Sequence, residues 1–275
     1  MSDAWLGGGV TSVATCVLAP NPGPMTLDGT NTWVLAEVGA RAGVVVDPGP
    51  LDEAHLAAVL AELARRDTRA AVILLTHGHL DHSEGAARLA HLTGAPVRAL
   101  DPALRLGSEG LTGGDVIDVD GLELRVVPTP GHTADSLSFL VVGDGSILTG
   151  DTVLGRGTTV VAHPDGRLAD YLDSLGRLAE LSRSAVATTV LPGHGPVLTD
   201  AYAAISYYQR HRAERLQQVA DAVAAGARTA REVVERVYVD VDPVLWPAAE
   251  LSVLAQLEYL RGQPGVGGPM RARTS

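Results

Sequence analysis

Residues 76–82 read THGHLDH, which places three imidazoles and one carboxylate within a single short segment. The five residues before it, 71–75, are all aliphatic and are typical of a buried strand. Ser83 is a suitable N-cap, and residues 84–92 have the pattern of a helix. The segment therefore connects the C-terminal end of a predicted strand to a helix, where α/β sheets commonly hold their functional groups.

Three further candidate metal ligands occur later in the chain, each after a strand-like run. They are His132, Asp151 and His194, and each has a glycine beside it, which lets the backbone turn sharply and direct one side chain inward. A single such histidine is more often structural, but several at successive strand ends indicate a site shared with residues 76–82. Imidazole together with carboxylate is a donor set that suits Zn²⁺.

The composition indicates a soluble globular protein. A length of 275 residues is that of one or two domains, and 46% hydrophobic against 19% charged residues is enough for a large core. The formal net charge of -11 disfavours binding to nucleic acid or to an anionic membrane through overall charge. A local basic groove is still compatible with this net charge.

The compartment is inferred from features that the sequence lacks. Cys16 is the only cysteine, so an internal disulfide is impossible, and its aliphatic neighbours predict a buried thiol in a strand. No lysine or arginine precedes Arg41, no apolar run of a signal peptide is present, and no segment approaches the length of a membrane span. These features predict a cytoplasmic protein without a membrane partner.

Hydrophobic periodicity predicts alternating strands and helices over the first 200 residues and helices alone thereafter. The predicted strands are 10–19, 32–38, 43–46, 71–75, 96–100, 122–127, 137–142, 147–149 and 186–191. Besides 84–92, the predicted helices begin after the N-cap Asp52, near Leu168, at Ala201 and after Thr229, and a last one carries Val253, Leu257 and Leu260. The glycines at 7–9 are predicted to form a loose arm.

This order of elements predicts three regions. Residues 1–200 would form the first domain, in which helices cover both outer faces of two stacked sheets. Residues 201–262 would form a C-terminal helical module, and the Gly- and Pro-rich residues 263–275 a disordered tail.

The candidate ligands resemble the signature of the metallo-β-lactamase superfamily, which is H-x-H-x-D-H followed by a lone His, Asp and His on later loops. The resemblance covers about residues 10–200, and every ligand of the signature is present. It implies an α/β fold, the four-layer αββα sandwich of that superfamily. The helices after residue 200 resemble the small winged-helix module of one branch, although no β-ribbon for a wing is evident.

The resemblance also implies two cations and their ligands. The first cation would be held by His77, His79 and His132, and the second by Asp81, His82 and His194, with Asp151 bridging them. Two cations about 3.5–4 Å apart would share a bridging hydroxide, which attacks a carbonyl or phosphoryl centre. Asp81 and Asp151 would be the catalytic carboxylates, because both offset metal charge and Asp151 is placed to handle a proton.

The donor types favour two Zn²⁺ ions, with Mn²⁺ and Fe²⁺ as alternatives. The oxygen-reducing di-iron branch of the superfamily typically has Glu at the position of His79, and this chain does not. Asp47 and Thr133 are candidate hydrogen-bond partners of ligand histidines. The sequence DPG that begins at Asp47 is equally typical of a simple turn.

Within the superfamily, the chain is similar to the hydrolase branch that includes the mitochondrial endoribonuclease β-lactamase-like protein 2. The similarity lies in residues 30–32 (TNT), 47–49 (DPG), 155–160 (GRGTTV), 171–175 (YLDSL) and 192–196 (PGHGP). The candidate substrate-binding residues are Thr158, Thr159, Tyr171, Tyr208, Arg210 and His211.

Residues 207–215 place aromatic and basic side chains on one predicted helix. Arg210, His211, Arg212 and Arg215 would bind a phosphate or carboxylate of the substrate, while Tyr207 or Tyr208 stacks on a base. The alternative is a solvated helix face. Of the remaining histidines, His55 and His91 are predicted to be solvated, and His163 to line the cleft from a turn.

Two substrate classes compete for a dinuclear zinc hydrolase. Single-stranded RNA follows from the endoribonuclease branch and the basic helix, whereas a small ester, thioester or lactone, as in glyoxalase II-like relatives, follows from the acidic net charge. A hypothesis of another class is a non-catalytic nucleic-acid adaptor with structural zinc, but closed structural sites usually have four ligands, often thiolates. β-Lactam hydrolysis is not expected without an export signal, and a homodimer is left open.

Overall fold

The computed structural model describes residues 4–263 and contains two β-sheets. The first sheet consists of β1 (Gly8–Gly9), β2 (Ala14–Leu18), β3 (Asn31–Leu35), β4 (Ala42–Val46), β5 (Arg69–Leu74) and β6 (Val97–Arg98). The second consists of β7 (Val116–Val119), β8 (Leu122–Pro128), β9 (Leu137–Val141), β10 (Ser146–Gly150) and β11 (Thr189–Pro192). In each sheet, strands that follow one another in sequence are neighbours in space.

The helices are α1 (Glu53–Arg65), α2 (Leu80–Ser83), α3 (Ala86–Thr93), α4 (Leu168–Arg183), α5 (Ala201–Ala224), α6 (Ala230–Val237) and α7 (Trp246–Gly262). Within residues 4–263, no helix is both long and apolar enough to cross a membrane. The predicted disordered tail lies outside the described residues, apart from Gln263.

Side-chain alternation along the strands creates the layers of the fold. Trp33 and Leu35 of β3 point into the core between the two sheets, where they join Phe139 of β9. Val34 points the other way and packs with Leu56 of α1. A third core lies between the second sheet and helices α4 and α5. The predicted four-layer αββα sandwich is therefore confirmed.

The direction of the strands gathers the candidate ligands at one edge. β4 and β5 are parallel, as are β10 and β11, while β8 and β10 are both antiparallel to β9 and so run the same way. Asp47, His77, His132, Asp151 and His194 follow the C-terminal ends of β4, β5, β8, β10 and β11 respectively. The sheets thus deliver residues distant in sequence to a common position.

The predicted helix over 84–92 is wrong in its start. Ser83 does not cap it but ends the four-residue helix α2, and its hydroxyl donates to the carbonyl of Gly78 at 3.0 Å. The amide of Gly85 leaves the helical pattern to donate to Gly49 at 2.9 Å. A Cβ at Gly85 would lie 3.1 Å from the carbonyl oxygen of Gly49, so the close approach favours glycine. This contact divides the segment into α2 and α3.

The N-terminal residues are more ordered than the sequence predicts. The predicted loose arm at 7–9 is wrong for Gly8 and Gly9, which pair antiparallel with β2 opposite Cys16 and Thr15. Cys16 is buried as predicted, and burial raises the pKa of its thiol to about 12.

Helix α5 connects the sandwich to the C-terminal helices. Ile205 and Tyr208 belong to the core beneath α4, whereas Val219 and Ala222 pack with α6 and α7 in a separate core. The predicted N-cap Thr229 accepts a hydrogen bond from the amide of Glu232 at 3.1 Å. Among the described residues, no strand follows β11, so the C-terminal module is helical there.

Candidate metal centre

The first group of candidate ligands consists of three histidines whose nitrogens converge. The Nε2 atom of His77 lies 3.0 Å from Nδ1 of His79, and Nε2 of His132 lies 3.1 Å from the same Nδ1 atom. His77 and His132 are buried, whereas His79 is exposed. One face of this group is therefore open to a substrate.

The second group contains Asp81, His82 and His194. The Nε2 atoms of the two histidines are 3.2 Å apart, and Oδ2 of Asp81 lies 3.2 Å from His194 Nε2 and 3.5 Å from His82 Nε2. Asp81 and His82 come from α2, so one helical turn supplies two donors while the β11–α5 connection supplies the third.

Asp151 lies between the two groups. Its Oδ2 atom is 3.4 Å from Nε2 of His194 and 3.8 Å from Nε2 of His132, and its Oδ1 atom is 3.4 Å from Nε2 of His82. The Oδ1 atom is buried and has no hydrogen-bond partner. A single carboxylate thus faces donors of both groups, as the sequence predicts for a bridging ligand.

Glycines permit the close approaches that bring these loops together. Gly131, which precedes His132, has φ 134°, and a Cβ there would lie 2.4 Å from the amide nitrogen of Tyr171. A Cβ at Gly193, which precedes His194, would lie 2.5 Å from Oδ1 of Asp151. A larger residue at Gly193 would displace Asp151, and one at Gly131 would separate the loop that bears His132 from α4.

In His132 and His194, a hydrogen bond to a backbone carbonyl determines which of the two ring nitrogens faces the centre. Nδ1 of His132 lies 2.7 Å from the carbonyl oxygen of Val160, and Nδ1 of His194 lies 3.1 Å from that of Gly29. A carbonyl oxygen can only accept a hydrogen bond, so Nδ1 carries the proton in both rings. The Nε2 lone pairs are then directed toward the centre, which is the orientation that a metal ligand requires.

Asp47 orients one histidine of each group. Its carboxylate accepts hydrogen bonds from the hydroxyl of Thr76 at 2.6 Å and from Nδ1 of His82 at 2.9 Å. Because the Thr76 hydroxyl gives its proton to Asp47, the same oxygen accepts from Nδ1 of His77 at 3.0 Å. The predicted supporting role of Asp47 therefore has a structural basis, and Thr76 is a residue of the site to which the sequence analysis assigned no role.

Residues 30–32 also support the centre, although the sequence analysis assigned no role to them. The Thr30 hydroxyl donates to Oδ2 of Asp81 at 3.3 Å, and the Asn31 amide donates to the carbonyls of Pro192 and Gly195, each at 2.9 Å, on both sides of His194. Their polar side chains at the start of a buried strand could have indicated this role, because an unpaired polar side chain is unfavourable there and so requires a partner.

The two ligand carboxylates are held in their ionised form. Burial raises the pKa of Asp81, but its hydrogen bond to His194 and the charge of His82 outweigh burial and lower this pKa to about 2. Burial opposes ionisation of Asp151 as well, and the charges of His194 and His82 hold its pKa well below the usual value. Each of the two carboxylates therefore carries a negative charge at neutral pH.

The histidines respond to these charges according to their position. Burial lowers the pKa of His132. Burial also lowers the pKa of His82, but the carboxylates of Asp151 and Asp47 outweigh it and hold this pKa well above its usual value. A potential that stabilises a proton on His82 would equally stabilise a bound cation.

The donors fit a pair of metal ions by their chemistry. Five imidazoles and two carboxylates form overlapping groups whose ligand atoms lie within 4.8 Å of one another. The buried Oδ1 atom of Asp151, which lacks a protein partner, is the kind of acceptor that a cation would satisfy.

Several predicted substrate contacts are structural instead. Tyr171 is 0% exposed and its hydroxyl donates to the carbonyl of Thr152 at 2.7 Å. Tyr208 is 2% exposed, and its hydroxyl accepts from the amide of Leu154 at 2.8 Å. Both rings are covered because α4 and α5 pack on the second sheet, so neither has a face available for stacking on a base.

The other predicted site residues differ in burial and in their hydrogen-bond partners. Thr159 is buried with its hydroxyl 3.2 Å from Nδ1 of His132, while Thr158 is half-buried. Thr133 donates to Asp135 at 2.7 Å and makes no hydrogen bond to a ligand histidine. Arg210 is exposed and His211 half-buried on α5, and both stay predictions as substrate contacts.

The basic side chains predicted to bind phosphate on α5 are also less available than the sequence predicts. Arg212 is buried and donates to the carbonyl of Thr159, and Arg215 donates to the carbonyl of Val237. Arg212 is therefore withdrawn from solvent, whereas Arg215 is half-buried with one of its five N–H donors bound to a backbone carbonyl.

Two predictions about the remaining histidines also change. His55 is not solvated but 3% exposed, with Nε2 at 2.8 Å from the hydroxyl of Thr32, because the first turn of α1 packs against β3. His163 lies 3.1 Å from a carboxylate oxygen of Glu258 in α7 and not among the residues that line the cleft at His79.

The cleft beside His79 has a volume of about 520 Å³ and an acidic lining. Its charged residues are Asp101, Asp135 and Asp165, and no arginine is among the described residues that line it. This cleft borders the exposed histidine of the first group.

Comparison with known proteins adds two family matches. Residues 25–194 match the Metallo-beta-lactamase superfamily, and residues 229–263 match the Beta-lactamase associated winged helix domain. The first match contains all seven candidate ligands. The second coincides with helices α6 and α7.

Relatives and solved structures agree with these matches. The chain is 33% identical to a Beta-lactamase-like protein 2 homolog of Drosophila melanogaster, covering 91% of this chain and 88% of the relative. It is also 33% identical to an Atrochrysone carboxyl ACP thioesterase of Aspergillus chevalieri, covering 83% and 74%. The fold is similar to that of a metallo-beta-lactamase family protein from Thermus thermophilus, with a TM-score of 0.74, 24% identity, and coverage of 90% and 93%.

Proposed function

Because the chain belongs to the metallo-beta-lactamase superfamily of hydrolases, we propose that it is a dinuclear zinc hydrolase of small, neutral esters or thioesters. The observation that carries this proposal is the position of Asp151 between two three-residue donor groups. His77, His79 and His132 would hold the first ion, and Asp81, His82 and His194 the second. Family membership argues against a non-catalytic adaptor.

The bound ions would supply Lewis-acid activation of a water molecule and of the scissile group. Zinc is proposed because imidazole is the majority donor. The protein's own part is to orient the donors toward the ions. The carbonyls of Val160 and Gly29 do so for His132 and His194, because they hold a proton on Nδ1 and leave Nε2 as the nitrogen that faces the centre.

The carboxylates have separate tasks in this proposal. Asp81 is fixed by the hydroxyl of Thr30 and offsets positive charge in the second group. Asp151 directs Oδ2 toward both groups and Oδ1 toward His82, so it is the carboxylate nearest both proposed ions and would be the one to take a proton. We propose both as catalytic residues for this reason.

The acidic cleft favours a neutral acyl substrate over a polyanion. A phosphodiester chain entering beside His79 would approach the carboxylates of Asp101, Asp135 and Asp165, and like charges at short range are repulsive. An uncharged ester or thioester meets no such barrier. The relative named as a thioesterase supports this substrate class.

A second candidate substrate is single-stranded RNA. The match of residues 229–263 to a winged helix domain and the similarity to Beta-lactamase-like protein 2 homologs favour it. Against it, Arg212 is buried and one donor of Arg215 is bound to a backbone carbonyl, so the basic helix offers fewer donors to phosphate than the sequence predicts. We therefore rank RNA second.

The experiment compares two substrates with the same zinc-loaded protein. Hydrolysis of an uncharged acyl thioester, followed by thiol release, is set against cleavage of end-labelled single-stranded RNA. We expect thioester turnover, and a loss of at least about 100-fold in kcat/KM for His77→Ala, since even outer partners of a metal site are worth roughly 10–100-fold.

The matched control is His91→Ala, which removes an exposed histidine of α3 and should leave turnover intact. RNA cleavage that depends on His77, without thioester turnover, would transfer the assignment to the second candidate. Binding of one zinc ion per chain, with neither activity, would contradict the dinuclear hydrolase altogether.

A further inference from the structure

Arg212 of α5 is a buried cation that lies outside the donor groups. Its exposed fraction is 6%, its guanidinium carbon lies 4.9 Å above the ring of Tyr171, and its terminal nitrogen donates to the carbonyl of Thr159. Its Nε atom is buried without a hydrogen-bond partner, and no carboxylate among the described residues forms an ion pair with it. Burying a charge with so little compensation is unfavourable for stability, so a role beyond packing is worth testing.

The carbonyl that Arg212 binds belongs to the segment that orients His132. Nδ1 of His132 lies 2.7 Å from the carbonyl oxygen of Val160 and 3.2 Å from the hydroxyl of Thr159. These two contacts determine the ring orientation and keep the proton on Nδ1. The direction of Nε2 toward His79 therefore depends on where residues 159 and 160 are held.

The segment between β10 and α4 has no regular structure of its own from residue 155 to 167. Its carbonyl groups have no strand partner, so their position depends on contacts with other elements. The C-terminal helices supply them: besides Arg212, the carbonyl of Leu251 accepts from the amide of His163 at 3.3 Å, and Glu258 lies 3.1 Å from its ring nitrogen.

We propose that Arg212 is a positioning residue for the first metal ion, acting through Thr159 and Val160 on His132. The C-terminal helical module would then be part of the metal centre's support and not only a possible substrate-binding attachment. This inference rests on the proposed function, because it requires that His132 binds a metal ion.

The test compares two arginines of α5 that make similar contacts. Arg212→Met removes the guanidinium that faces Thr159. Arg215→Met is the matched control, because Arg215 likewise lies over a tyrosine ring, 4.3 Å above Tyr238, and donates to a backbone carbonyl, that of Val237. Both variants lose a similar packing contact, but only the first contact leads to His132.

Metal affinity and the visible absorption spectrum of the cobalt-substituted full chain are measured alongside thermal unfolding. Arg212→Met should weaken binding of one of two ions by roughly 10–100-fold, as for other outer partners of metal ligands, and alter the cobalt spectrum. Arg215→Met should lower only the unfolding temperature. Arg212→Lys, which keeps a cationic donor, should restore part of the affinity.

Equal metal affinities and identical spectra for Arg212→Met and Arg215→Met would overturn the inference while leaving the hydrolase proposal intact. If Arg212→Met fails to fold, Arg212→Lys decides, because wild-type affinity and spectrum in that variant would also overturn it. A wild-type protein that binds no metal would instead contradict the proposed function itself.

Discussion

At the scale of single residues, Asp47 is the most heavily constrained group of the centre. It is 1% exposed and has φ 51°, a left-handed conformation that is uncommon outside glycine, although aspartate tolerates it better than most residues. One oxygen of its carboxylate accepts from Thr76 and His82, and the other accepts from the amide of Thr76 at 2.8 Å. Strain retained at such a position is consistent with a functional requirement.

Asp47→Asn is expected to weaken binding of both metal ions by roughly 10–100-fold, because an amide NH₂ in place of Oδ2 cannot accept from the Thr76 hydroxyl and His82 Nδ1. Competition with a chromophoric chelator measures both affinities. Asp120→Asn is the matched control, since Asp120 has the same φ of 51° but is exposed and distant from the donors. Unchanged affinities in Asp47→Asn would show that orientation by Asp47 is dispensable.

At the scale of secondary-structure elements, the start of β3 and the first turn of α1 jointly support the turn at residues 47–49. The Thr32 hydroxyl donates to the carbonyl of Asp47 at 2.7 Å, so its oxygen accepts from Nε2 of His55 at 2.8 Å. Burial lowers the pKa of His55, because its charged form would be desolvated there. The helix thus places a neutral histidine beneath the turn that bears Asp47.

The folded protein is therefore expected to lose stability through His55 as the pH falls. Below about 6.5, the unfolded chain binds a proton at His55 that the folded chain resists, so the free energy of unfolding decreases with decreasing pH. In His55→Gln this contribution is absent, and the slope of stability against pH between about 5 and 6.5 should be shallower by at most about 1.4 kcal/mol per pH unit.

Urea unfolding at several pH values measures this slope in the wild type and in His55→Gln. His91→Gln provides the comparison for an exposed histidine on the neighbouring helix α3. Parallel pH profiles for the wild type and His55→Gln would contradict a lowered pKa at His55.

At the scale of the whole molecule, the candidate ligands come from both sheets. Residues 77–82 follow β5 of the first sheet, while His132, Asp151 and His194 follow strands of the second. A pair of ions held by all of them would therefore connect the two halves of the sandwich. Such a connection contributes to stability because the unfolded chain offers no preformed site.

For each site, zinc at about 100 times its dissociation constant should stabilise the fold by about 2.7 kcal/mol and raise the Tm by roughly 5–10 °C. A chelator should reverse the shift. The Asp151→Ala variant should gain much less, because its carboxylate faces both groups. A zinc-independent Tm in the wild type would mean that no ion connects the sheets.

The sequence by itself determined the features that depend on local pattern. The ligand segment 76–82, the alternating strands and the caps Asp52 and Thr229 could be predicted, because residue type and short spacing define them. The tertiary structure decided everything that depends on distant partners, including the burial of His55, the division of the helix at Gly85 and the contacts of Asn31 with Pro192 and Gly195. Tyr208 and Arg212 illustrate the same limit, because helical spacing places them on α5 but only packing against the second sheet determines whether they face solvent or a buried carbonyl. The residue types in the sequence determine which groups can bind a cation. The free energy of burying each polar group instead depends on its partners, some of which folding brings from more than a hundred residues away.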